Sequence, residues 1–225
     1  MSVINQQLYT LCQLYGFSGV VEQRLVAFVD LLQRWNRRTN LISRSDGHQI
    51  VTKHIADSLA FLKLNVLHPL HNILDFGSGA GFPGLILKIA APELQINLLD
   101  SKRIKVLFLR EAIAALELSD VNVLLSRAEE LSRDPNHDRY DFVLARAVAS
   151  LVTLWTGSTP LLRPGGYLLA QKGGDLHDEV SQLLQRFPGC IVQFRPVLNP
   201  FETSVHSRCF AIVQDREKRD VAKSN

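Results

Sequence analysis

From residue 72 onward, short apolar runs alternate with helical segments along the chain. NILDFG and INLLD precede helical segments near 83–91 and 102–118; VNVLLS, YDFVLARA and YLLAQKG follow, with helical segments near 150–162 and 175–187. Strands that alternate with helices form a parallel sheet with right-handed crossovers. The last two runs, CIVQFRPVL and RCFAIVQD, have no helix between them, which predicts a hairpin. We therefore predict an α/β fold with a mostly parallel seven-stranded sheet ending in an antiparallel hairpin.

The first seventy residues have a helical pattern instead. Ile4, Leu8, Leu11 and Tyr15 recur at helical spacing, and further apolar stripes continue to Pro69. We expect an N-terminal helical cap over 1–70 and a sheet core over 71–214. The charged segment 215–225 predicts a disordered tail. With no Pro/Gly/Ser-rich linker in between, 1–225 is expected to form one domain.

The remaining composition narrows the class of protein. No apolar run is long enough to span a bilayer, and the N-terminus lacks the pattern of a secretory signal. Three widely spaced cysteines form neither a disulfide framework nor a cluster of metal ligands. We therefore expect a cytoplasmic protein with no membrane association and no metal site.

The loop DFGSGAGFPG, between the first strand and its helix, contains Gly77, Gly79 and Gly81. Glycine accepts a positive φ and lets a ligand approach the backbone, so the loop indicates a cofactor site. A nicotinamide dinucleotide and S-adenosylmethionine are the two candidates. The dinucleotide fingerprint requires a third glycine where this chain has Phe82, and Pro83 removes one N–H group that would bind phosphate. S-adenosylmethionine has no phosphate, so both departures matter less for it.

Two acidic residues follow neighbouring strands. Asp100 ends the second strand, 23 residues after Gly77, where a carboxylate accepts ribose hydroxyls in both enzyme classes. Glu129 follows the third strand. It either lies beside an adenine or is a carboxylate favoured by a helix N-terminus, and the sequence does not choose. The Pro-Gly-Gly turn and the terminal hairpin favour a methyltransferase over a dehydrogenase.

Basic side chains concentrate in two segments, although the net charge is only +3. Residues 34–54 carry one acid, Asp46, and five bases: Arg34, Arg37, Arg38, Arg44 and Lys53. Residues 101–110 carry no acid and four bases: Lys102, Arg103, Lys105 and Arg110. Two such clusters on a nearly balanced chain indicate an anionic partner. A solvated helix face is the alternative for either cluster alone.

Seven motifs together resemble one family. They are WNRRTNLIS (35–43), HIADS (54–58), ILDFGSGAGFPGLILKIAAPE (73–93), LLDSKRIKVLFLRE (98–111), SRAEEL (126–131), ARAVASL (145–151) and LLAQKGG (168–174). The chain resembles the bacterial small-subunit ribosomal RNA guanine-N7 methyltransferases, formerly called glucose-inhibited division protein B. The resemblance implies a Rossmann-like S-adenosylmethionine-dependent methyltransferase fold. It also implies methyl transfer from S-adenosylmethionine to N7 of a guanine in 16S rRNA, near the decoding region.

The resemblance and the glycine loop together assign the expected site. The cofactor-binding residues are Gly77, Gly79, Phe82, Asp100, Ser101, Lys102, Ala128, Glu129 and Arg146. Phosphates are held by Arg and Lys, so the expected RNA contacts are Arg34, Arg37, Arg38, Lys53, Arg103, Lys105 and Lys172. The expected partner is 16S rRNA within the small ribosomal subunit or an assembly intermediate. We expect a monomer with no obligate protein partner.

Methyl transfer to guanine N7 requires correct placement of the base and the methyl group rather than proton transfer. Guanine N7 has a free lone pair, so no general base is needed and we assign no catalytic residue. Orientation alone supplies up to about 7–11 kcal/mol in the best intramolecular models. Arg146, at the end of the fourth strand, is the candidate for substrate positioning or for pairing with a carboxylate. His54 and Asp57 form either a lid or a packing pair, and Trp35 is expected in the core, like Trp155.

Two rival functions remain at this point. An NAD(P)-dependent oxidoreductase would share Asp100, although Phe82 and Pro83 count against it. A ribosome-assembly factor would bind RNA and use the cofactor only structurally. Binding of NADH or of S-adenosylhomocysteine discriminates the first rival, and methyl transfer to undermethylated small subunits discriminates the second.

Overall fold

The computed structural model describes residues 2–43, 45–146, 149–202 and 208–216. Within these residues seven strands form one sheet, in the spatial order β3-β2-β1-β4-β5-β7-β6. The strands are Asn72–Phe76 (β1), Gln95–Asp100 (β2), Val121–Leu125 (β3), Tyr140–Arg146 (β4), Leu162–Gly173 (β5), Cys190–Pro196 (β6) and Arg208–Asp215 (β7).

The strand directions confirm the predicted topology. Strands β1 to β5 are parallel, as in the pairs Asp75–Leu98 and Val143–Leu168. Strand β7 runs antiparallel to both β5 and β6. The described residues between β6 and β7, 197–202, contain no helix, and antiparallel neighbours need no crossover helix. Insertion of β7 between β5 and β6 differs from the 3-2-1-4-5-6 order of dinucleotide-binding domains.

Helices cover both faces of the sheet. They are Val3–Tyr15 (α1), Gly19–Asn36 (α2), Ala56–Leu59 (α3), Gly84–Ala90 (α4), Arg103–Ala115 (α5), Ala128–Leu131 (α6), Leu151–Ser158 (α7) and His177–Arg186 (α8). Successive side chains of a strand point to opposite faces. Thus Leu98 packs with α1, α2, α4 and α5, whereas Leu99 packs with α6, α7 and α8. Pro83 directly precedes α4 instead of lying in its first turn.

Helix α2 joins the N-terminal cap to the sheet. Leu25, Phe28 and Leu32 form its buried stripe. The Phe28 ring makes edge contacts with Phe82, at 5.6 Å between centroids, and with Phe108 of α5, at 6.2 Å. Burial of one such side chain contributes roughly 1.5–3 kcal/mol. The cap is therefore held against the glycine loop and against α5.

The segment after α2, which belongs to the predicted helical cap, is broken into short pieces instead of forming one regular helix. A 3₁₀ turn over Ser45–Gln49 leads into a π-helical segment, Ile50–Ile55, then α3, then a second 3₁₀ turn over Ala60–Leu64. β-Branched residues are frequent in IVTKHI, and they pack poorly into a regular α-helix. The wider turn buries both His54 and Asp57 on the sheet side of the chain.

Two residues of the predicted tail, Asp215 and Arg216, are held by the sheet region. Asp215 ends β7, and the Arg216 N–H donates to Gly189 O at 2.9 Å. The rest of that expectation, 217–225, lies outside the described residues. Across the described part of the chain, no helix combines the length and the apolar character needed to cross a membrane.

Candidate functional site

The carboxyl ends of β1, β2 and β4 meet at one edge of the sheet, where ligands bind in folds of this class. A cleft of about 370 Å³ opens there. Its lining comes from the glycine loop, the cap, α5 and the end of β4: Leu41, Ile42, Ser43, His54, Gly77, Ser78, Gly79, Ala80, Phe82, Lys105 and Arg146. We call this the cofactor cleft. It brings together four of the predicted cofactor-binding residues: Gly77, Gly79, Phe82 and Arg146.

The glycine loop is held by backbone hydrogen bonds across the sheet edge. The N–H groups of Gly77 and Ser78 both donate to Leu99 O, at 2.8 and 2.9 Å. Gly77 and Gly79 have φ values of 75° and 59°. L residues with a Cβ disfavour this left-handed region, so the loop needs glycine at these positions.

Asp100 connects the end of β2 to the glycine loop. Its Oδ2 accepts from Gly79 N at 2.9 Å, and its Oδ1 accepts from Lys102 N at 2.8 Å. Lys105 Nζ lies 3.9 Å from Asp100 Oδ2 and also lines the cofactor cleft. The structure thus places Lys105, predicted as an RNA contact, beside the cofactor cleft. Ser101 and Lys102 follow Asp100 and are exposed.

A fully buried carboxyl group, Asp75, lies behind the loop. Its Oδ2 accepts from Gly84 N at 3.0 Å, and a Cβ on Gly84 would come within 2.7 Å of the Asp75 Cβ. Burial raises the pKa of Asp75 to about 7, and the hydrogen bonds from Gly84 and Ser78 oppose part of that rise. Asp75 was not among the predicted site residues, because an acid inside an apolar strand has no visible partner in the sequence.

Arg146 and His54 form one wall of the cofactor cleft around Phe82. The Arg146 guanidinium lies 5.1 Å from the Phe82 ring centroid, and the His54 ring stacks on Phe82 at 5.0 Å. Arg146 Nη2 donates to His54 Nδ1 at 2.7 Å. Arginine has only donors, so His54 must accept through Nδ1.

Asp57 stabilises Arg146, one of the residues of this wall, through a buried polar network. The carboxylate is 2% exposed and forms an ion pair with Arg208 at the start of β7. Its Oδ1 accepts from Asn199 Nδ2 at 2.8 Å, and Arg146 Nη1 lies 3.8 Å from its Oδ2. Asn199 also donates to Thr52 O at 2.9 Å. His54 and Asp57 therefore belong to a buried polar network that joins the cap to the ends of β4 and β7.

Ala128 and Glu129 begin α6, three residues beyond the end of β3. Leu125 of β3 stands opposite Asp100, so α6 begins at the same sheet edge. Neither residue belongs to the described lining of the cofactor cleft. Glu130 carries out the capping role, since its Oε2 accepts from Arg127 N at 3.2 Å, while Glu129 is exposed. Glu129 lies in the first turn of α6, where a helix N-terminus favours a carboxylate, and both predictions for this residue stay open.

The predicted RNA contacts lie in three places. Arg34, Arg37 and Arg38 line a second cleft at the end of α2. Lys53, on the π-helical segment, and Arg103, on α5, are exposed, and each lies within two positions of a residue that lines the cofactor cleft. Arg44, from the same basic segment, lies outside the described residues.

Lys172, predicted as an RNA contact, is bonded to groups within the chain. Its Nζ donates to Ala149 O at 2.8 Å and pairs with Glu179 Oε2 at 3.0 Å. Glu179 Oε2 in turn accepts from Leu151 N at 2.8 Å. The ammonium group thus connects the segment after β4 to α8. For this reason we do not include Lys172 among the RNA contacts that we propose.

Several lining residues were absent from the predicted site. Leu41, Ile42 and Ser43 line the cofactor cleft through the loop that follows α2. All three belong to the motif WNRRTNLIS, from which no cofactor-binding residue was predicted. Asn199 and Arg208 had no signal, because both are more than 140 residues from Asp57, the residue that they contact.

Comparison with known proteins agrees with this geometry. The family model for rRNA small subunit methyltransferase G matches residues 21–196. The chain is 45% identical over 173 residues to ribosomal RNA small subunit methyltransferase G of Roseiflexus sp. (strain RS-1), covering 75% of this chain and 74% of the relative. It is 36% identical over 202 residues to the protein of that name from Alkaliphilus metalliredigens (strain QYMF), covering 87% and 84%.

Among solved structures, ribosomal protein L11 methylase from Lactobacillus delbrueckii subsp. bulgaricus has a similar fold, with a TM-score of 0.52 and 13% identity, covering 72% of this chain and 77% of that one. The sheet order and this likeness confirm the predicted methyltransferase fold. The chain therefore belongs to the rRNA small subunit methyltransferase G family.

Proposed function

We propose that the chain transfers a methyl group from S-adenosylmethionine to N7 of a guanine in 16S rRNA, near the decoding region of the small subunit. The observation that carries the proposal is the cofactor cleft, where the glycine loop held by Asp100 faces Phe82 and Arg146. Family membership supports the RNA substrate class. Cytoplasmic location, a monomeric state and the single-domain organisation stay predictions.

The residues of the cofactor cleft fit S-adenosylmethionine. At Gly79 an added Cβ would meet only Lys105 Nζ and Gly77 O, at 3.5 and 3.8 Å, so the backbone there is open to a ligand. Each Asp100 oxygen accepts one N–H in the structure and retains a lone pair that can accept a ribose hydroxyl. When bound, S-adenosylmethionine supplies a methyl group on a cationic sulfur, and the positive charge passes to the purine with the methyl group.

The chain's own residues then have to place the base and tolerate its new charge. Guanine N7 needs no base to remove a proton, so the wall formed by Arg146, His54 and Phe82 acts by positioning. A bare guanidinium beside a purine that becomes cationic would oppose the reaction. The pairing of Arg146 with Asp57 reduces that repulsion while the planar donors of Arg146 stay in place.

The target base has to leave the RNA helix to reach the cleft, because side chains cannot read N7 in the deep groove of duplex RNA. Exposed basic side chains near the cofactor cleft and at the end of α2 support phosphate contacts during this step. We retain Arg34, Arg37, Arg38, Lys53 and Arg103 for that role.

The test uses small subunits from a strain that lacks the enzyme, with radiolabelled S-adenosylmethionine. We expect one methyl group per subunit at a guanine N7, mapped by cleavage of the RNA at 7-methylguanine. Gly77→Val serves as the inactive control. Intact RNA binding without methyl transfer would support the assembly-factor rival. Thermal stabilisation by NADH and none by S-adenosylhomocysteine would support the oxidoreductase rival.

A further inference from the structure

A second cleft, of about 490 Å³, opens at the end of α2 and beside α5. It is lined by Arg34, Trp35, Arg37, Arg38, Thr39 and Glu111, and we call it the arginine cleft. Its lining shares no described residue with the cofactor cleft. Lys105 of α5 lines the cofactor cleft, and Glu111 of the same helix lines the arginine cleft. The six positions between them correspond to about 9 Å along the helix axis. The two clefts are therefore neighbours along one helix.

The charges of the arginine cleft suit an anion. Among the described residues, no carboxylate lies within ion-pair distance of Arg34, Arg37 or Arg38. By contrast, Arg146 and Arg208 both have carboxylate partners. Three exposed guanidinium groups around one cleft present planar forks of donors that match phosphate oxygens.

Trp35 adds an aromatic surface to this cleft. The indole is partly buried and makes an edge contact with Phe108, with 5.7 Å between centroids and 69° between ring planes. Thr39 Oγ1 donates to Trp35 O at 2.8 Å, which holds the turn after α2. An anchored ring beside arginines is the arrangement on which unpaired bases stack. Glu111 supplies a carboxylate on the α5 wall that can accept from an exocyclic amine of a base.

We propose that the arginine cleft binds a second nucleotide of the RNA substrate, with its base on Trp35 and its phosphates on Arg34, Arg37 and Arg38. The proposal rests on the proposed function, because it takes the RNA strand to run from the cofactor cleft along α5. The bound nucleotide is single-stranded, since a base must be unstacked from its neighbours to lie on the indole.

The two tryptophans of the chain allow a direct test. Trp155 of α7 is 2% exposed and packs against the face of the sheet opposite to α2 and α5. Its emission is therefore a constant background. The probe is a ten-nucleotide single-stranded RNA of mixed sequence, with duplex RNA of the same length as the comparison. We expect saturable quenching of Trp35 emission by the single strand, with the same midpoint as the anisotropy of the labelled RNA. Trp155→Phe, with Trp35 as the sole indole, should give the same curve.

Variants test the aromatic part and the basic part of the arginine cleft one at a time. Trp35→Leu should weaken binding of the single strand roughly 5- to 150-fold, the range for loss of one base stack. Arg37→Gln with Arg38→Gln should lower the salt slope of binding by about 0.7 for each phosphate that the variant no longer neutralises. Arg186→Gln makes the same type of substitution at one arginine on α8, at the opposite face of the sheet, and should have no effect. Unchanged binding of S-adenosylhomocysteine verifies that each variant is folded.

Three results would overturn the inference: absence of saturable binding, anisotropy that saturates without quenching of Trp35, or equal quenching by duplex RNA. Wild-type RNA affinity in Trp35→Leu and in the double arginine variant would also overturn it. If methyl transfer to small subunits persists in such a case, the proposed function stands and only the arginine cleft fails. Quenching of Trp35 in a protein that transfers no methyl group would support the RNA site and reject the methyltransferase.

Discussion

Arg146 Nη2 donates a hydrogen bond of 2.7 Å to His54 Nδ1, joining the end of β4 to the π-helical segment of the cap. The same guanidinium lies over Phe82 and faces Asp57. One planar group thus reaches an imidazole, an aromatic ring and a carboxylate at once. A lysine ammonium has the charge of arginine but lacks the planar fork.

Arg146→Lys should therefore impair the cofactor cleft although the charge is kept. Hydrogen bonds to charged groups contribute about 1.5–3 kcal/mol each, so we expect methyl transfer to fall by at least roughly tenfold. Arg163→Lys, at a surface ion pair with Asp141, is the matched control and should retain wild-type activity. Wild-type rates in Arg146→Lys would refute the positioning role.

Asp57→Asn should destabilise the fold as well as the cleft. The substitution removes the charge that balances Arg208 and Arg146, which are only 17% and 13% exposed. Breaking a buried ion pair costs about 3–5 kcal/mol, whereas a surface pair contributes about 0–1 kcal/mol. Urea denaturation should show a drop of about 3 kcal/mol for Asp57→Asn and a far smaller one for Arg163→Gln. Similar losses in both variants would show that the Asp57 network does not hold the cap to the sheet.

Gly77→Ala should weaken cofactor binding through the backbone. The residue has a φ of 75°, where a Cβ costs roughly 1–2 kcal/mol, and it lines the cofactor cleft. We expect calorimetry to show at least tenfold weaker binding of S-adenosylhomocysteine. Gly16→Ala is the control, because Gly16 has a φ of 67° and open space around it at the end of α1. It should lose stability by a similar amount but keep its affinity.

Asp75→Asn should change how stability depends on pH. The folded protein holds the Asp75 proton up to a pKa of about 7, whereas the ordinary value is 3.8. Between these values the folded state binds more protons than the unfolded chain, so this group makes stability fall as pH rises. The free energy of unfolding of Asp75→Asn relative to the wild type should therefore increase by about 1.4 kcal/mol per pH unit from pH 4 to 7. A difference that does not vary with pH would show that Asp75 titrates normally.

Much of the fold follows from short-range patterns. Apolar runs of strand length and the absence of a helix before RCFAIVQD predicted the seven strands and the antiparallel hairpin, because strand periodicity and connection length are local properties. The glycine loop and Asp100 were predictable for a similar reason. They follow β1 and β2, and the ends of neighbouring parallel strands meet at one edge of a sheet.

The partners of individual charged side chains could not be predicted from such local patterns. Lys172, predicted to contact RNA, is held by Glu179 of α8, and Lys105 lies beside Asp100. The broken helix over 45–64 also escaped prediction, because its irregular turns are stabilised by burial against the sheet rather than by its own propensity.

The sequence by itself determined the seven strands, their mostly parallel direction with an antiparallel ending, the glycine loop after the first strand and the residue types available at the sheet edge. Tertiary structure alone decided which charges neutralise one another. Asp57 meets Asn199 and Arg208 across 142 and 151 positions of chain, and no spacing in the sequence encodes such contacts. The physical reason is that a buried charge is stable only beside its partner, and packing of the whole cap against the sheet brings the partners together.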